Sequence, residues 1–497
     1  MLSCLHPLYL PLFLSALPRL WAENSSPSQS AFFPDAVCFR ISQVISAASA
    51  VYHPGEELYE KGLHHYASSS TQRSRCVVEA GTVKDVGAIL VILGETRTPF
   101  AVKGGGHTTN PGFSSTPYVH ISMYRFSEIK YDDVSKTAEI GAGLIWDDVY
   151  AALEPFGVNV LGSRVTGIGV AGFILGGGYS WKTNQYGLAV DNVVAYDLVQ
   201  PNGNTITVTN SSDPELFFGL KGGMNNFGVV TKFTMRTHPQ TQVWGGSIYN
   251  MESVLPDIEA ATVAFQESVT DPKAAVIMTY NYVPSAQQII TTQMLFYDAP
   301  EPPAGIFDAF LAIPSVLFDV KTRSFLSLIH ATPSNSTMGA RAVYQGFPII
   351  SLTPCISAIL VNESKFWGKA LADKTEVSLS YDIEMFVPSI YSHNPDKTAF
   401  PPSRNLFFQP FNMAYTWNSS KFDADFHETA IISSEHIVKA AIAEGQTQLA
   451  RAPNYPNYAI AGTPLQDMYG DNLPVLRRLK ARIDPLDVMG LAGGWKF

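Results

Sequence analysis

Between residues 76 and 240 the apolar positions change period several times, from the alternation of a strand to the three-and-four spacing of a helix and back. Val86, Ile89, Leu90 and Leu93 follow helical spacing behind Thr82, a good N-cap, and 99–102 then reads as a buried strand. Further strands are expected over 118–123 and 138–142, before a helix over Trp146–Leu153 that stops near Gly157. Two β-rich runs, Val193–Val199 and 205–209, flank Pro201, Asn202 and Gly203, and Asn-Gly between such runs is a strong hairpin signal. Asp213 and Pro214 then open a short helix. This half is predicted to be a mixed α+β domain.

From 245 to 450 the texture changes. Ala274–Val283 and Gln288–Tyr297 are adjacent strand-like runs, and amphipathic stretches cover 253–268 and 423–444. The expectation is a second domain, an antiparallel sheet covered by helices. After 450 the chain is again rich in Tyr, Asn and Gly, and a short helix is expected over 474–482. The fold class is therefore α+β, in two domains.

Composition narrows the function. Lys+Arg 33 against Asp+Glu 43 leaves a net charge of −10, which repels phosphate backbones and anionic membranes and argues against nucleic acid as a partner. Charged residues are 15% and hydrophobic residues 46%, the balance of a large, well-buried globular chain. Residues 8–17 are nearly all apolar and Ala22 precedes a polar stretch, so 1–22 reads as a cleaved secretory leader, although no Lys or Arg precedes Arg19. The run is too short to span a membrane, and Pro7, Pro11 and Pro18 would break a helix, so no membrane anchor is expected and the protein is placed outside the cell or in the secretory lumen. Cleavage removes Cys4. Cys38 and Cys76, which flank a helical stretch, are expected to pair, leaving Cys355 as a buried thiol. Export would make acceptors of the Asn-x-Ser/Thr sites at Asn24, Asn210, Asn335, Asn362 and Asn418.

Three glycine-dense segments carry the candidate chemistry. They are Lys103-Gly104-Gly105-Gly106-His107, the run from Gly162 to Gly176, Gly177 and Gly178, and the segment 221–228 with Gly222, Gly223 and Gly228. Consecutive glycines let backbone amides approach an anion closely, and three such loops favour a phosphate-bearing cofactor over tight turns alone. Gly167, Gly169 and Gly172 spell GxGxxG with Asp191 downstream, but no strand leads directly into it and the Gly176 triplet would end its helix at once, so a Rossmann site is rejected. There is no Walker A loop and no GxSxG elbow. His107 closes its loop after a buried strand, where neutral imidazole is presented to whatever the loop binds; nothing nearby completes a metal site.

The succession of PFAVKGGGH, AGLIWDDVY, GGGYSWKTNQYGLAVDNV, QPNG, LFFGLKGGMNNFGVVT and YGDNLPVLRRLKARIDPLDVM resembles the berberine-bridge-enzyme-like flavoproteins of the vanillyl-alcohol-oxidase/p-cresol-methylhydroxylase superfamily, in their fungal secondary-metabolite branch. The resemblance implies that 70–240 and 451–497 together form a p-cresol-methylhydroxylase-type FAD-binding domain, with 245–450 as a substrate domain. It implies FAD held covalently through His107, with the loops at Lys103–Gly106, Gly176–Gly178 and Gly222–Gly228 around the pyrophosphate and ribityl chain. Val165 stands where bicovalent members carry a cysteine, so one covalent bond is expected. Ala171, Gly172 and Phe173 replace the Gly-Gly-His of berberine bridge enzyme, which puts that enzyme's reaction in doubt. Tyr455, Asn457 and Tyr458 match the Tyr-x-Asn segment lining the active site, and Tyr455 or Tyr458, with Tyr469 as a further candidate, would be the base that takes a proton as hydride leaves a C–H bond. Gln409 is expected to face the substrate. The implied activity is an FAD oxidase that acts on a small metabolite and passes electrons to O2. The alternatives are a dehydrogenase with another acceptor and a non-catalytic flavin- or sugar-binding glycoprotein. A tyrosine base would need a pKa well below about 10, and so a nearby cation.

Overall fold

The computed structural model describes residues 35–331, 334–375, 377–394 and 396–497. The leader and Asn24 lie outside them. Thr82 accepts a hydrogen bond from Asp85 N at 3.1 Å and opens the helix Val83–Thr96, whose Ile89, Leu90 and Leu93 pack with Phe100, Val119 and Ile121. The sheet beneath runs Ala50–Tyr52, Cys76–Glu79, Val119–Ser122, Phe100–Lys103, and its last two pairings are parallel. Its edge strand Phe100–Lys103 delivers the Lys103–His107 loop at its carboxyl end.

A five-stranded antiparallel sheet follows, built on Ile129–Asp132, Thr137–Gly141, Val229–Arg236, Val193–Val199 and Thr205–Val208. The expected hairpin at Asn202-Gly203 joins its last two strands. Asp213 caps Leu216 N at 2.9 Å and opens the helix Pro214–Leu220. The C-terminal segment returns to these two sheets. Val488, Met489 and Ala492 are buried with Phe100, Gly493 N donates to Phe100 O at 3.2 Å, and Asn226 Nδ2 donates to Trp495 O at 2.9 Å.

Between these parts lies a seven-stranded antiparallel sheet in the order Leu317–Arg323, Val243–Met251, Gln288–Tyr297, Ala274–Val283, Ser378–Met385, Gln409–Trp417, Arg341–Ile349. Alternation divides its residues cleanly. Leu379, Tyr381, Ile383 and Met385, with Phe411, Met413, Tyr415 and Trp417, form one core with Ile356 and Leu360 of the helix Pro354–Ala370 and Phe426, Ala430 and Ile437 of Asp423–Ala443. The opposite face, carrying Thr279, Asp382, Glu384, Asn412 and Tyr344, turns towards the glycine loops.

Cys38 and Cys76 are disulfide-bonded. Cys355 departs from expectation: it sits half-buried in the first turn of Pro354–Ala370 and is disulfide-bonded, not a buried thiol, because a helix start at the rim of a layer is not core. Asn210, Asn362 and Asn418 are exposed, and Asn335 lies in the turn Ser334–Thr337. Among the described residues no helix is long and apolar enough to cross a membrane.

Candidate active site

His107 leaves the Phe100–Lys103 strand and stacks on Tyr66, with ring centroids 4.1 Å apart and planes at 17°; Tyr344 of the seven-stranded sheet lies parallel at 6.3 Å. The imidazole Nε2 is buried and has no hydrogen-bond partner. Burial pushes the ring down to about 4, so it is neutral at physiological pH and keeps a lone pair for a ligand. Lys103, 3% exposed and in no ion pair among the described residues, is pushed down to about 8 by the same desolvation.

The glycines bring this loop to its neighbours. Gly105 packs on Gly169 so closely that a Cβ would sit 2.5 Å from Gly169 Cα, which joins the first cluster to the second. Within the second, the short helix Val170–Leu175 begins at Gly169 without a strand before it, and Asp191 pairs with Arg404 at 2.5 Å, so neither belongs to a Rossmann site. On this helix Gly172 faces open space. Gly176 lies under Asn457, whose Nδ2 donates to Phe173 O at 3.1 Å and Tyr455 Oη at 2.8 Å. Gly178 N donates to Tyr455 Oη at 3.0 Å. Gly222, Gly223 and Gly228 meet Phe400, Gly219 O and Val199 O, so packing within the protein already explains them.

Across from His107 the polar sheet face closes on the Asn454–Tyr458 segment. Glu384, 3% exposed, accepts from Arg164 Nη2 at 2.6 Å, Tyr458 Oη at 2.8 Å and Asn412 Nδ2 at 3.0 Å. Arg164 also donates to Tyr458 Oη at 2.9 Å. Tyr458 can lie flat on the sheet because position 346 is glycine: a Cβ there would stand 2.7 Å from Tyr458 Cβ. Burial lifts the Glu384 carboxyl above its usual range while Arg164, Tyr458 and Asn412 pull it back, and we take the pair as ionised because three donors converge on the carboxylate. The tyrosine hydroxyls are shifted upward, Tyr455 to about 12 and Tyr458 well above its ordinary value, both mainly by desolvation. Arg164 is the cation a tyrosinate would need, but Glu384 already neutralises it.

Tyr469 is fully buried and donates to Gly222 O at 3.1 Å, a packing role. Gln409 needs correction. It is fully buried on the helix side, its Oε1 accepting from Phe386 N at 3.0 Å and its Nε2 donating to Gln266 Oε1 at 2.9 Å, so it does not face the site. Odd-numbered positions of its strand point to the helices, and the residue on the site face is Asn412.

These loops coincide with a known sequence pattern. The family described as FAD binding domain matches residues 74–209. An FAD-dependent monooxygenase of Emericella nidulans is 29% identical over 91% of this chain and 96% of its own. An FAD-linked oxidoreductase of Arthroderma benhamiae is 37% identical, the match spanning 58% of each chain and so little more than half that relative's length. Residues 74–209 thus carry the sequence of an FAD binding domain, and the chain is similar to FAD-linked oxidoreductases and FAD-dependent monooxygenases of fungi. Its fold is that of the berberine-bridge-enzyme-like flavoenzymes: Physcomitrella patens BBE-like 1 superposes with a TM-score of 0.74 at 20% identity over 91% of this chain and 97% of the other, and chitooligosaccharide oxidase with 0.72 at 17%, over 91% and 98%.

Several residues of the candidate site carry no motif. Asp382 and Glu384 lie in SLSYDIEM, a strict alternation of polar and apolar residues whose polar half is the site face, so period alone could have found them. Arg164, 220 residues from its partner, carries no such signal.

Proposed function

We propose that this oxidoreductase is an FAD-dependent oxidase that removes hydride from a small hydroxylated or amine-bearing metabolite in secondary metabolism and delivers the electrons to O2. The observation that carries the proposal is the convergence of a buried, unpaired His107 Nε2 with the polar sheet face of Asp382, Glu384, Asn412 and Tyr458. FAD, when bound, supplies the hydride acceptor. His107 is the covalent anchor, since its neutral ring and unused nitrogen suit attachment, and Gly172, on the helix that the packed Gly105 and Gly169 bring to its loop, faces open space. Lys103 supplies positive charge under the loop.

The protein's own groups bind and orient the substrate. Tyr458 spends its proton on Glu384 and one lone pair on Arg164, leaving a second lone pair to accept from a substrate O–H or N–H. Tyr455 receives N–H donors from Gly178 and Asn457, so its own proton is free to be donated. Tyr66 and Tyr344 lie near-parallel beside His107 and give its surroundings an aromatic wall. The disulfide and the exposed acceptor asparagines agree with a secreted glycoprotein.

Purified protein should be yellow, and its fluorescence should remain with the acid-precipitated chain. His107→Ala is expected to release the flavin on precipitation; retention of covalent flavin would rule out the anchor. Hydrogen peroxide formed in step with substrate separates oxidase from dehydrogenase. The Emericella relative, aligned along nearly the whole chain, is named a monooxygenase. Incorporation of 18O from O2 into product would favour that second reading.

A further inference from the structure

The strand Ser378–Met385 carries two carboxylates, Asp382 and Glu384, on one face two residues apart, and their surroundings differ. Glu384 is buried under one cation and two neutral donors, as described. Asp382 is half-buried and in no ion pair among the described residues; its Oδ1 accepts from Thr279 Oγ1 at 2.7 Å, and Thr279 is its register partner on the neighbouring strand. On the other side it is in register with Asn412, the residue that donates to Glu384. Tyr344, whose ring lies parallel to His107, is in register with Ala414, two residues along the same strand from Asn412, so Tyr344 and Asp382 flank one strand on the site face.

The groups facing Asp382 come from several elements. Glu384 on its own strand raises its pKa, Arg164 from the 160–169 loop lowers it, and the Thr279 and Ser380 hydroxyls lower it; the Tyr344 and Tyr458 hydroxyls are the other titratable groups nearby. Desolvation outweighs these and pushes the carboxyl up to about 7. Two carboxylates whose environments separate them in this way divide the work: one is a fixed anion and the other exchanges a proton near neutrality.

We propose that Asp382 is the group that takes the proton from the substrate's O–H or N–H, while the Glu384–Arg164 pair holds Tyr458 as the acceptor that orients it. The inference rests on the flavin-oxidase reading above. In the step, the X–H bond (X is O or N) breaks and its proton forms a bond to an Asp382 carboxylate oxygen. The electron pair left on X becomes the second bond of C=X as the adjacent carbon loses hydride to oxidised flavin. The substrate is thereby oxidised by two electrons and the flavin reduced by two, and Asp382 returns its proton to solvent. The substrate class is a neutral alcohol or amine with a hydrogen on the carbon bearing X.

Two measurements on the holoprotein test this. In the first, 13C NMR of protein labelled at the aspartate carboxyl carbon should show one resonance titrating near neutrality that is absent from Asp382→Asn. In the second, anaerobic flavin bleaching is followed against pH with a panel of polyols, benzylic alcohols and secondary amines. The wild type should show an ascending limb near pH 7. Asp382→Asn should lose that limb and slow bleaching by about 100- to 10,000-fold at unchanged flavin content. Thr279→Val, which removes a hydrogen bond to the carboxylate, should move the limb to higher pH while retaining turnover. A limb that survives in Asp382→Asn, or that vanishes in Glu384→Gln or Tyr458→Phe while Asp382→Asn keeps it, overturns the assignment, as does the absence of any aspartate titrating between about pH 6 and 8. Colourless wild-type protein would instead overturn the flavin reading and the proton's destination with it, which tells the two failures apart.

Discussion

Glu384 shows how one buried side chain can hold a polar cluster together. It gathers Arg164, Tyr458 and Asn412 from three distant stretches of sequence into one network, and removing its charge leaves a buried guanidinium with no counter-ion. Breaking such a pair on one side typically costs about 3–5 kcal/mol. Glu384→Gln is therefore expected to lower stability by that order in denaturant unfolding, with an unchanged m-value; a loss below about 1 kcal/mol would mean that the network is solvated in solution. At the same scale, glycine is demanded where neighbours leave no room: Gly346 admits Tyr458 to the sheet, and Gly105 admits Gly169. The sequence displays the glycines but not what presses on them, and for this reason Gly222, Gly223 and Gly228 read as ligand loops although protein atoms fill the space beside them.

Elements were more legible than contacts. The strands Ala274–Val283 and Gln288–Tyr297, the helix Trp146–Leu153 and the cap at Thr82 occur where periodicity and capping chemistry place them, because each depends on residues within a few positions of one another. The side a residue faces was also available wherever alternation is strict. Phe411, Met413, Tyr415 and Trp417 assign the odd positions of their strand to the helices, and Gln409 goes with them. What could not be read was the meeting of the 160–169 loop with the Ser378–Met385 strand, since that depends on how segments some 220 residues apart pack together. The disulfide acts at this scale too. Cys38 in the helix Ala36–Val44 is bonded to Cys76 at the start of its strand, closing a sequence separation of 38. Loop-closure entropy for that length gives about 4 kcal/mol. Cys38→Ser should lower the unfolding free energy by roughly this amount, measured against wild type under oxidising conditions, with Cys76→Ser behaving like it.

For the whole molecule, pH tests the pattern of burial. His65, His107 and His238 are each held down to about 4 by desolvation, whereas in the unfolded chain they titrate near 6.5. A depressed imidazole contributes stability that is present above the unfolded value and is lost as pH falls towards the folded one. Asp382, raised from 3.8 to about 7, works the other way and loses its contribution as pH rises across that interval. Near pH 5 the unfolded chain holds three protons on these histidines where the native chain holds one on Asp382, so these four groups take up a net two on unfolding, and His120, held well below its ordinary value by burial, adds in the same direction. Stability should rise with pH between about 4 and 6.5 at roughly 1.4 kcal/mol per unit for each net proton. A melting-temperature series across that range checks this, and its slope should be shallower in His107→Ala. A flat or falling profile would mean that the histidine pockets admit water.

The return of the C-terminal segment also has a temporal meaning. The strand Phe100–Lys103 and its neighbours are among the first parts of the chain to be made, yet part of their apolar cover, Val488, Met489 and Ala492, is made hundreds of residues later. The seven-stranded sheet and its helices have all emerged before that cover arrives. The middle of the chain can therefore pack while this N-terminal core still lacks part of its cover, and the last residues to be made complete it.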